Sequence, residues 1–264
     1  MTLDNTTYYT PEANAEYMSC SQFKAFLHCE AAAMAELTGE SRREDTTALL
    51  TGSYVDAFYE GTLDQFREQH PEQHPELFKK DGTLKAEYQT AESAIERTEA
   101  DPLFTEYMSG EKQRIFTGEI GKVPYKIKVD SYREHLMIVD LKCVRDFEPV
   151  WNPETRRKEH FIEYWGYHTQ GAIYREIVRQ NTGETLPFYI AAVTKEKSPD
   201  IEIFSVPDEV LDEQLEVVEQ LSPRFSLVKH GVFAPQRCGK CAYCRATKVL
   251  TAPVDYRTDN TEPF

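Results

Sequence analysis

Apolar positions along the chain change their period several times, and each change marks an element. From Ser19, the residues Phe23, Phe26, Leu27, Ala31, Met34 and Leu37 recur at helical spacing until Gly39. One helix is therefore predicted there, with Ser19 and Ser21 as candidate caps and Cys29 inside it. Leu49, Leu50, Tyr54, Val55 and Phe58 predict a second helix over 46–59, ended by Gly61. Residues 62–86 are polar, hold Pro71 and Pro75 and keep no apolar period, so they read as a surface insertion. A further helix is predicted over 84–108, whereas residues 1–18 show no period and read as an arm or a short edge element.

The period then shortens to two. Runs rich in β-branched and aromatic residues at 116–120, 123–129 and 136–144 are separated by Gly121 and by 131–134, the pattern of an antiparallel meander. The charged stretch 145–160, with Trp151, Pro153, Arg156, Arg157 and Lys158, reads as a loop near a ligand or a solvated hairpin tip. Helical spacing returns over 161–181, where Ile162, Trp165, Ala172, Ile173, Ile177 and Val178 are apolar and Gly183 follows the end. Residues 188–194 predict a buried strand, 201–206 its partner, and 208–229 a helix opened by Pro207 and Asp208.

Polar residues placed inside this pattern carry the candidate chemistry. Asp140 and Lys142 lie two apart on the third run of the meander and share a face, while Val139 and Leu141 take the other. Asp130 closes the second run, so two carboxylates and an ammonium meet at one end of a sheet. Such a set can hold a hard cation through oxygen, although an ordinary surface ion pair has the same composition. Gln170 and Tyr174 are i and i+4 on the helix after the meander and face one way. Asp56 is the one well-placed acid of the 46–59 helix, where a solvated position is the bland reading. His70 and His74 have zinc-ligand spacing without a third ligand beside them.

Cys238, Cys241 and Cys244 repeat at C-x2-C-x2-C among polar, turn-forming residues. Core packing does not explain such a group, which calls for a soft metal or a cluster and a fourth thiolate. Cys29 is the first candidate for that ligand and Cys20 the reserve, whereas Cys143 packs on the sheet. The bland reading of Cys29 is a small buried hydrophobe.

The 264 residues suffice for one large domain or two small ones, and 40% hydrophobic with 28% charged residues is an ordinary soluble composition. No run approaches a bilayer span and the N-terminal residues lack a signal-peptide pattern, so a cytoplasmic protein with no membrane contact is expected. A net charge of −15 argues against a protein that coats nucleic acid non-specifically, but permits contacts confined to one groove.

Asp130, Asp140 and Lys142, as D-x9-D-x-K, resemble the core of the PD-(D/E)XK nuclease superfamily. Gly52 to Asp56 resembles its G-x3-H motif with Asp in place of His, and Gln170 with Tyr174 resembles the Q-x3-Y motif of RecB-type members. The cysteines resemble those of the iron-sulfur AddB and CRISPR-associated exonucleases, and residues 19–250 together are similar to phage-type RecE-like exonucleases.

The resemblance implies an α/β (α+β) restriction-endonuclease-like core, a central mixed sheet flanked by helices. A single domain over 1–264 would be stapled by cysteines joining 20–29 to 238–244. It further implies a metal-dependent DNA exonuclease in which Asp56, Asp130, Asp140 and the Leu141 carbonyl hold Mg2+ or Mn2+. Lys142 would orient the attacking water or stabilise charge, and Gln170 and Tyr174 would contact DNA. Cys29, Cys238, Cys241 and Cys244 would hold a 4Fe-4S cluster, with zinc as the alternative. Expected partners are linear double- or single-stranded DNA ends, a phage single-strand annealing protein and further copies of the chain. The competing expectations are a non-catalytic adaptor or DNA-binding module of the same fold, and a zinc-stabilised protein unrelated to nucleic acid.

Overall fold

A computed structural model of the chain describes residues 3–41, 46–69, 77, 79–81, 83–255 and 257. Helices α1 (Pro11–Glu16), α2 (Cys20–His28), α3 (Glu30–Leu37), α4 (Thr47–Glu60), α5 (Leu63–Gln69), α6 (Ala86–Glu99) and α7 (Pro102–Tyr107) precede the sheet. Strands β1 (Glu111–Ile120), β2 (Val123–Arg133) and β3 (Met137–Val144) form the expected meander, and β4 (Val150–Asn152) with β5 (Arg157–Glu159) a separate hairpin. Then follow α8 (Phe161–Tyr164), α9 (Tyr167–Thr182), β6 (Phe188–Thr194), β7 (Ile201–Ser205), α10 (Asp208–Lys229) and α11 (Ala242–Ala246).

The main sheet runs β1-β2-β3-β6-β7, antiparallel except for the parallel β3–β6 pair that the intervening α9 permits. Strand alternation sends Ile138, Ile190 and Ala192 to one face, against Phe23 and Phe26 of α2, Ile173 and Ile177 of α9, and Phe225 of α10. Val139, Leu141, Ala191 and Val193 take the opposite face, against Tyr54 and Val55 of α4 and Ala91 and Ile95 of α6. The result is a five-stranded mixed sheet flanked by helices, the α+β class expected from the sequence. No described helix is long and apolar enough to cross a membrane.

Tertiary contacts and turn chemistry divide three of the predicted helices. The N-terminal helix breaks at Cys29, which is extended at φ −164° and ψ 110° and caps α2 and α3 rather than lying inside one helix. The C-terminal segment docks on that break: Ala31 N donates to Gln236 O at 3.0 Å, and Gln236 N to the buried Glu30 Oε2 at 2.7 Å. Arg224 closes the contact with a two-pronged pair to Glu30 at 2.7 and 3.0 Å. The helix predicted over 84–108 breaks at Asp101 and Pro102, where Asp101 caps Phe104 N and proline cannot continue the preceding turn. The helix predicted over 161–181 breaks at left-handed Gly166, leaving Trp165 exposed rather than in the core.

Two further expectations change. β2 runs on to Arg133, so the reversal expected at 131–134 lies at Glu134 to Leu136, with His135 at φ 61°. The polar segment contains α5, while His70 and His74 lie outside the described residues.

The N-terminal arm is ordered by its own turn chemistry. Asp4 Oδ1 accepts from Thr6 N and Thr7 N, both at 2.9 Å, and Thr10 caps α1. The buried Lys126 ammonium then pins the arm, donating to Tyr8 O and, at 2.7 Å, to Asn14 Oδ1. Burial lowers its pKa to about 8, well under the value near 10.4 of a free lysine.

Two predictions follow from these contacts. A Cβ on Gly171 of α9 would fall 2.5 Å from Phe188 Cδ1 and 2.9 Å from Leu211 Cδ2. Gly171→Ala should therefore lower stability by about 1–3 kcal/mol in urea denaturation, through forced separation of α9 from β6. For Lys126, the unfolded chain keeps a proton that the folded state has lost between about pH 8 and 10, so stability rises with pH in that window. The melting temperature of the wild type minus that of Lys126→Met should increase from about pH 7.5 to 9.5, and a flat difference would contradict the assignment.

Candidate active site

β2 and β3 pair only where Ser131, Tyr132 and Arg133 face Val139, Ile138 and Met137, and beyond that point the strands part. The Asp130 carboxylate enters the fork. Its Oδ2 accepts from Leu141 N at 2.8 Å, a bond that a strand carbonyl would otherwise receive, and its Oδ1 accepts from Gln113 Nε2 at 3.2 Å. Met18 takes the freed edge of β2: its N–H donates to Pro124 O at 2.8 Å and its carbonyl accepts from Lys126 N at 2.9 Å. Two of the places where the strands part are thus closed by other partners, Leu141 N by a side chain and the 124–126 edge by Met18.

A cavity of about 400 Å³ occupies this opening. The sheet contributes Asp130, Asp140, Leu141 and Lys142 to its wall, α4 contributes Asp56 and Glu60, and α9 contributes Gln170 and Tyr174. All the residues singled out for the carboxylate and Q-x3-Y motifs therefore share one cavity. The same cavity also takes in residues that the sequence reading did not select. Glu60 lies one helical turn beyond Asp56, and Lys126 and Lys128 share the Asp130 face of β2 by strand alternation, so both signals were available. Tyr8, Tyr9 and Asn14 come from the arm and had no signal of that kind.

Asp140 is almost fully buried. Gln170 Nε2 donates to its Oδ1 at 2.6 Å, while among the described residues its Oδ2 meets only the Lys142 ammonium at 2.5 Å and has no aligned hydrogen-bond donor. Lys142 Nζ also donates to Leu141 O at 3.2 Å and lies 5.1 Å from the centre of the Tyr167 ring. Burial opposes the lysine's charge, but Asp140 and Asp130 outweigh it and raise its pKa. Burial likewise pushes Asp140 up to about 6 against the pull of Lys142, and pushes Asp56 up to about 8 with the help of Asp130. Tyr174 OH donates to Lys128 O at 3.1 Å, which fixes β2 just before Asp130.

Crowded carboxyls with raised pKa values, one carrying an oxygen without an aligned donor, are what a hard cation would relieve. Asp56, Asp130, Asp140 and the Leu141 carbonyl offer only oxygen, the donor set that suits Mg2+ or Mn2+. The residues present therefore fit such an ion.

A second constellation lies at the far end of α2. Cys29, Cys238, Cys241 and Cys244 bring their sulfurs within 4.8 Å of one another, the one group of three or more His, Cys, Asp or Glu among the described residues that converges so closely. Cys29 Sγ is 3.6 Å and Cys238 Sγ 3.9 Å from Cys244 Sγ. Cys241 N points at Cys238 Sγ at 3.3 Å and Cys244 N at Cys241 Sγ at 3.4 Å. Burial works against a Cys238 thiolate, but backbone N–H groups of Cys241 and Lys240 prevail and bring its pKa to about 6. Burial drives Cys241 up to about 12, so it keeps its proton unless a bound cation takes the thiolate and displaces that proton to solvent. Cys20, the reserve ligand, instead lines the fork cavity, and Cys143 packs on the sheet.

Residues 19–247 match the family model described as "PDDEXK-like domain of unknown function (DUF3799)". A crystal structure described as "Putative exonuclease" from Eubacterium rectale shares 46% identity over 97% of each chain, with a TM-score of 0.89. A structure of SSO0001 aligns at 12% identity over 77% of this chain and 87% of its own, but its TM-score of 0.29 carries no argument. No curated protein matches the chain. With 229 of its residues (247 − 19 + 1) inside the family model and its sheet, helices and acid-lysine fork arranged as described, the chain belongs to the PDDEXK-like DUF3799 family.

Proposed function

We propose that the chain is a metal-dependent deoxyribonuclease that degrades linear DNA from its ends. The observation that carries this reading is the buried Asp140–Lys142 pair beside Asp130 in an open fork of the sheet. The likeness to a structure described as "Putative exonuclease" supports cleavage from ends.

Asp56, Asp130, Asp140 and the Leu141 carbonyl would hold Mg2+ or Mn2+. When bound, such an ion neutralises phosphate charge and acidifies a water for in-line attack on phosphorus. Gln170 fixes Asp140 Oδ1 and so leaves Oδ2, which meets Lys142, for a cation. Tyr174 acts at one remove by anchoring β2 at Lys128. Both therefore position the acidic ligands, besides whatever contact their cavity-lining atoms make with DNA. Lys142, its pKa raised, remains an ammonium at neutral pH, so it donates to the attacking water or to the charge on phosphorus and does not act as base. Lys24 and Lys128 line the same cavity and offer cations to flanking phosphates despite the net charge of −15.

For the four cysteines we favour zinc over the 4Fe-4S cluster. A tetrahedron of Zn–S bonds of about 2.3 Å has edges of about 3.8 Å, close to the 3.6 and 3.9 Å separations here. The ion would staple α2 to the C-terminal segment within a single domain over 1–264. A part in phage recombination beside a single-strand annealing protein and an oligomeric form rest on the sequence resemblance, and a place in the cytoplasm on the absence of a bilayer-length run and of a signal-peptide pattern.

Two measurements test these assignments. End-labelled linear double- and single-stranded DNA should be degraded with Mg2+ or Mn2+ and not with EDTA, and Lys142→Ala should lose roughly a thousandfold in rate while staying folded by circular dichroism. Full activity in that variant would remove Lys142 from the mechanism, and a folded wild type without cleavage would favour the adaptor. Elemental analysis should find about one zinc per chain, absent from a less stable Cys241→Ala. Brown protein carrying iron and sulfide would establish the cluster instead.

A further inference from the structure

A second cavity, of about 530 Å³, adjoins the first, and Tyr9, Asp56, Glu60, Gln113 and Lys128 line both. Its far wall includes Lys112 of β1. The Lys112 ammonium is shielded from solvent and has no hydrogen-bond acceptor among the described residues. Its nearest described stabilisation is the Tyr59 ring, 5.7 Å away, and burial lowers its pKa against the opposing field of Asp130. A buried ammonium without an acceptor is a costly arrangement that an anionic oxygen would relieve. The next residue, Gln113, has a left-handed backbone at φ 55° without being glycine, and it reaches across to Asp130. Strain of that kind persists where surroundings enforce it, and here it lies between Lys112 and a carboxylate of the fork.

Tyr9 stands on the boundary of the two cavities with 66% of its surface exposed. It is not loose: Tyr8 abuts it edge-on at 4.9 Å, and the Lys128 ammonium lies 4.9 Å from its ring centre. An exposed aromatic ring held in place and flanked by lysine is the arrangement on which unpaired bases stack.

From these observations we infer that the second cavity is a subsite for the nucleotide next to the scissile phosphate, with Lys112 holding its phosphate and Tyr9 stacking its base. The inference rests on the nuclease reading. Asp56 and Glu60 lie on the wall shared with the first cavity, where the cation proposed there offsets their repulsion of the phosphate. A base stacked on Tyr9 has left the duplex, so the ligand is a single strand or a frayed end. Lys112 and Tyr9 are positioning and specificity residues, apart from the acid-lysine set.

The test measures binding of a fluorescent oligothymidylate of about eight nucleotides to full-length protein in Mg2+, with Lys142→Ala as the non-cleaving background. Adding Lys112→Met should weaken binding about tenfold and reduce the slope of log affinity against log salt by about 0.7, one phosphate contact on a single strand. Adding Tyr9→Leu should weaken binding at least fivefold with the salt slope unchanged, Tyr9→Phe should restore it, and a blunt duplex should be affected less by either tyrosine change. An unchanged salt slope in Lys112→Met, or equal losses on single strand and duplex in Tyr9→Leu, would overturn the subsite. Cleavage by the wild type reports on the nuclease reading independently, so a failed subsite with active wild type leaves that reading standing.

Discussion

The hydrogen bond from Leu141 N to Asp130 is the constraint on which the site depends. A strand that leaves its neighbour exposes backbone groups, and a buried N–H without an acceptor costs about as much as a lost hydrogen bond. Asp130 supplies the acceptor from a side chain, so β2 can depart from β3 while Leu141 N keeps a partner. The opening this makes is where carboxylates from the sheet and from α4 collect. One residue thus ends the ladder and brings charge to the place where it ended.

Everything around the fork keeps it from closing. Met18 fills the free edge of β2, Tyr174 holds Lys128 in place, and Gln170 fixes Asp140. The like charges that result are tolerated unequally. Asp140 has Lys142 beside it, whereas Asp56 makes no hydrogen bond or ion pair among the described residues and carries the larger upward pKa shift. A protein of this composition could pack the space with leucine at less electrostatic cost, so the charge is retained at the expense of stability.

Much of this was legible from period and spacing. β6 and α10 fall where their apolar runs place them, and Asp140 and Lys142 share a face because strand alternation requires it. Asp130 was found at the end of a predicted strand, but its bond to Leu141 N, and hence the fork itself, was not, since no local pattern says where paired strands separate. The break at Cys29 was hidden for a related reason. Its sequence is helical throughout, and what interrupts it is Gln236 and Arg224, more than 190 residues away. Pro102, inside the helix predicted over 84–108, is a breaker visible in the sequence itself, whereas the arm of Tyr8 and Tyr9 is held by Lys126, a contact that no periodicity encodes.

The separation of Cys29 from Cys244 along the chain, 215 residues, has a bearing on the order in which the molecule is made. α2 carries Cys20 and Lys24 on the cavity wall and ends at Cys29, so the wall lies next to α11, the last helix among the described residues. During synthesis every acid of the fork emerges before the cysteines at 238–244 that complete the tie. A nascent chain therefore holds the full acidic set for some time without its brace, and the staple proposed for the cysteines would be a late step of maturation that separates having the residues of the site from having the site.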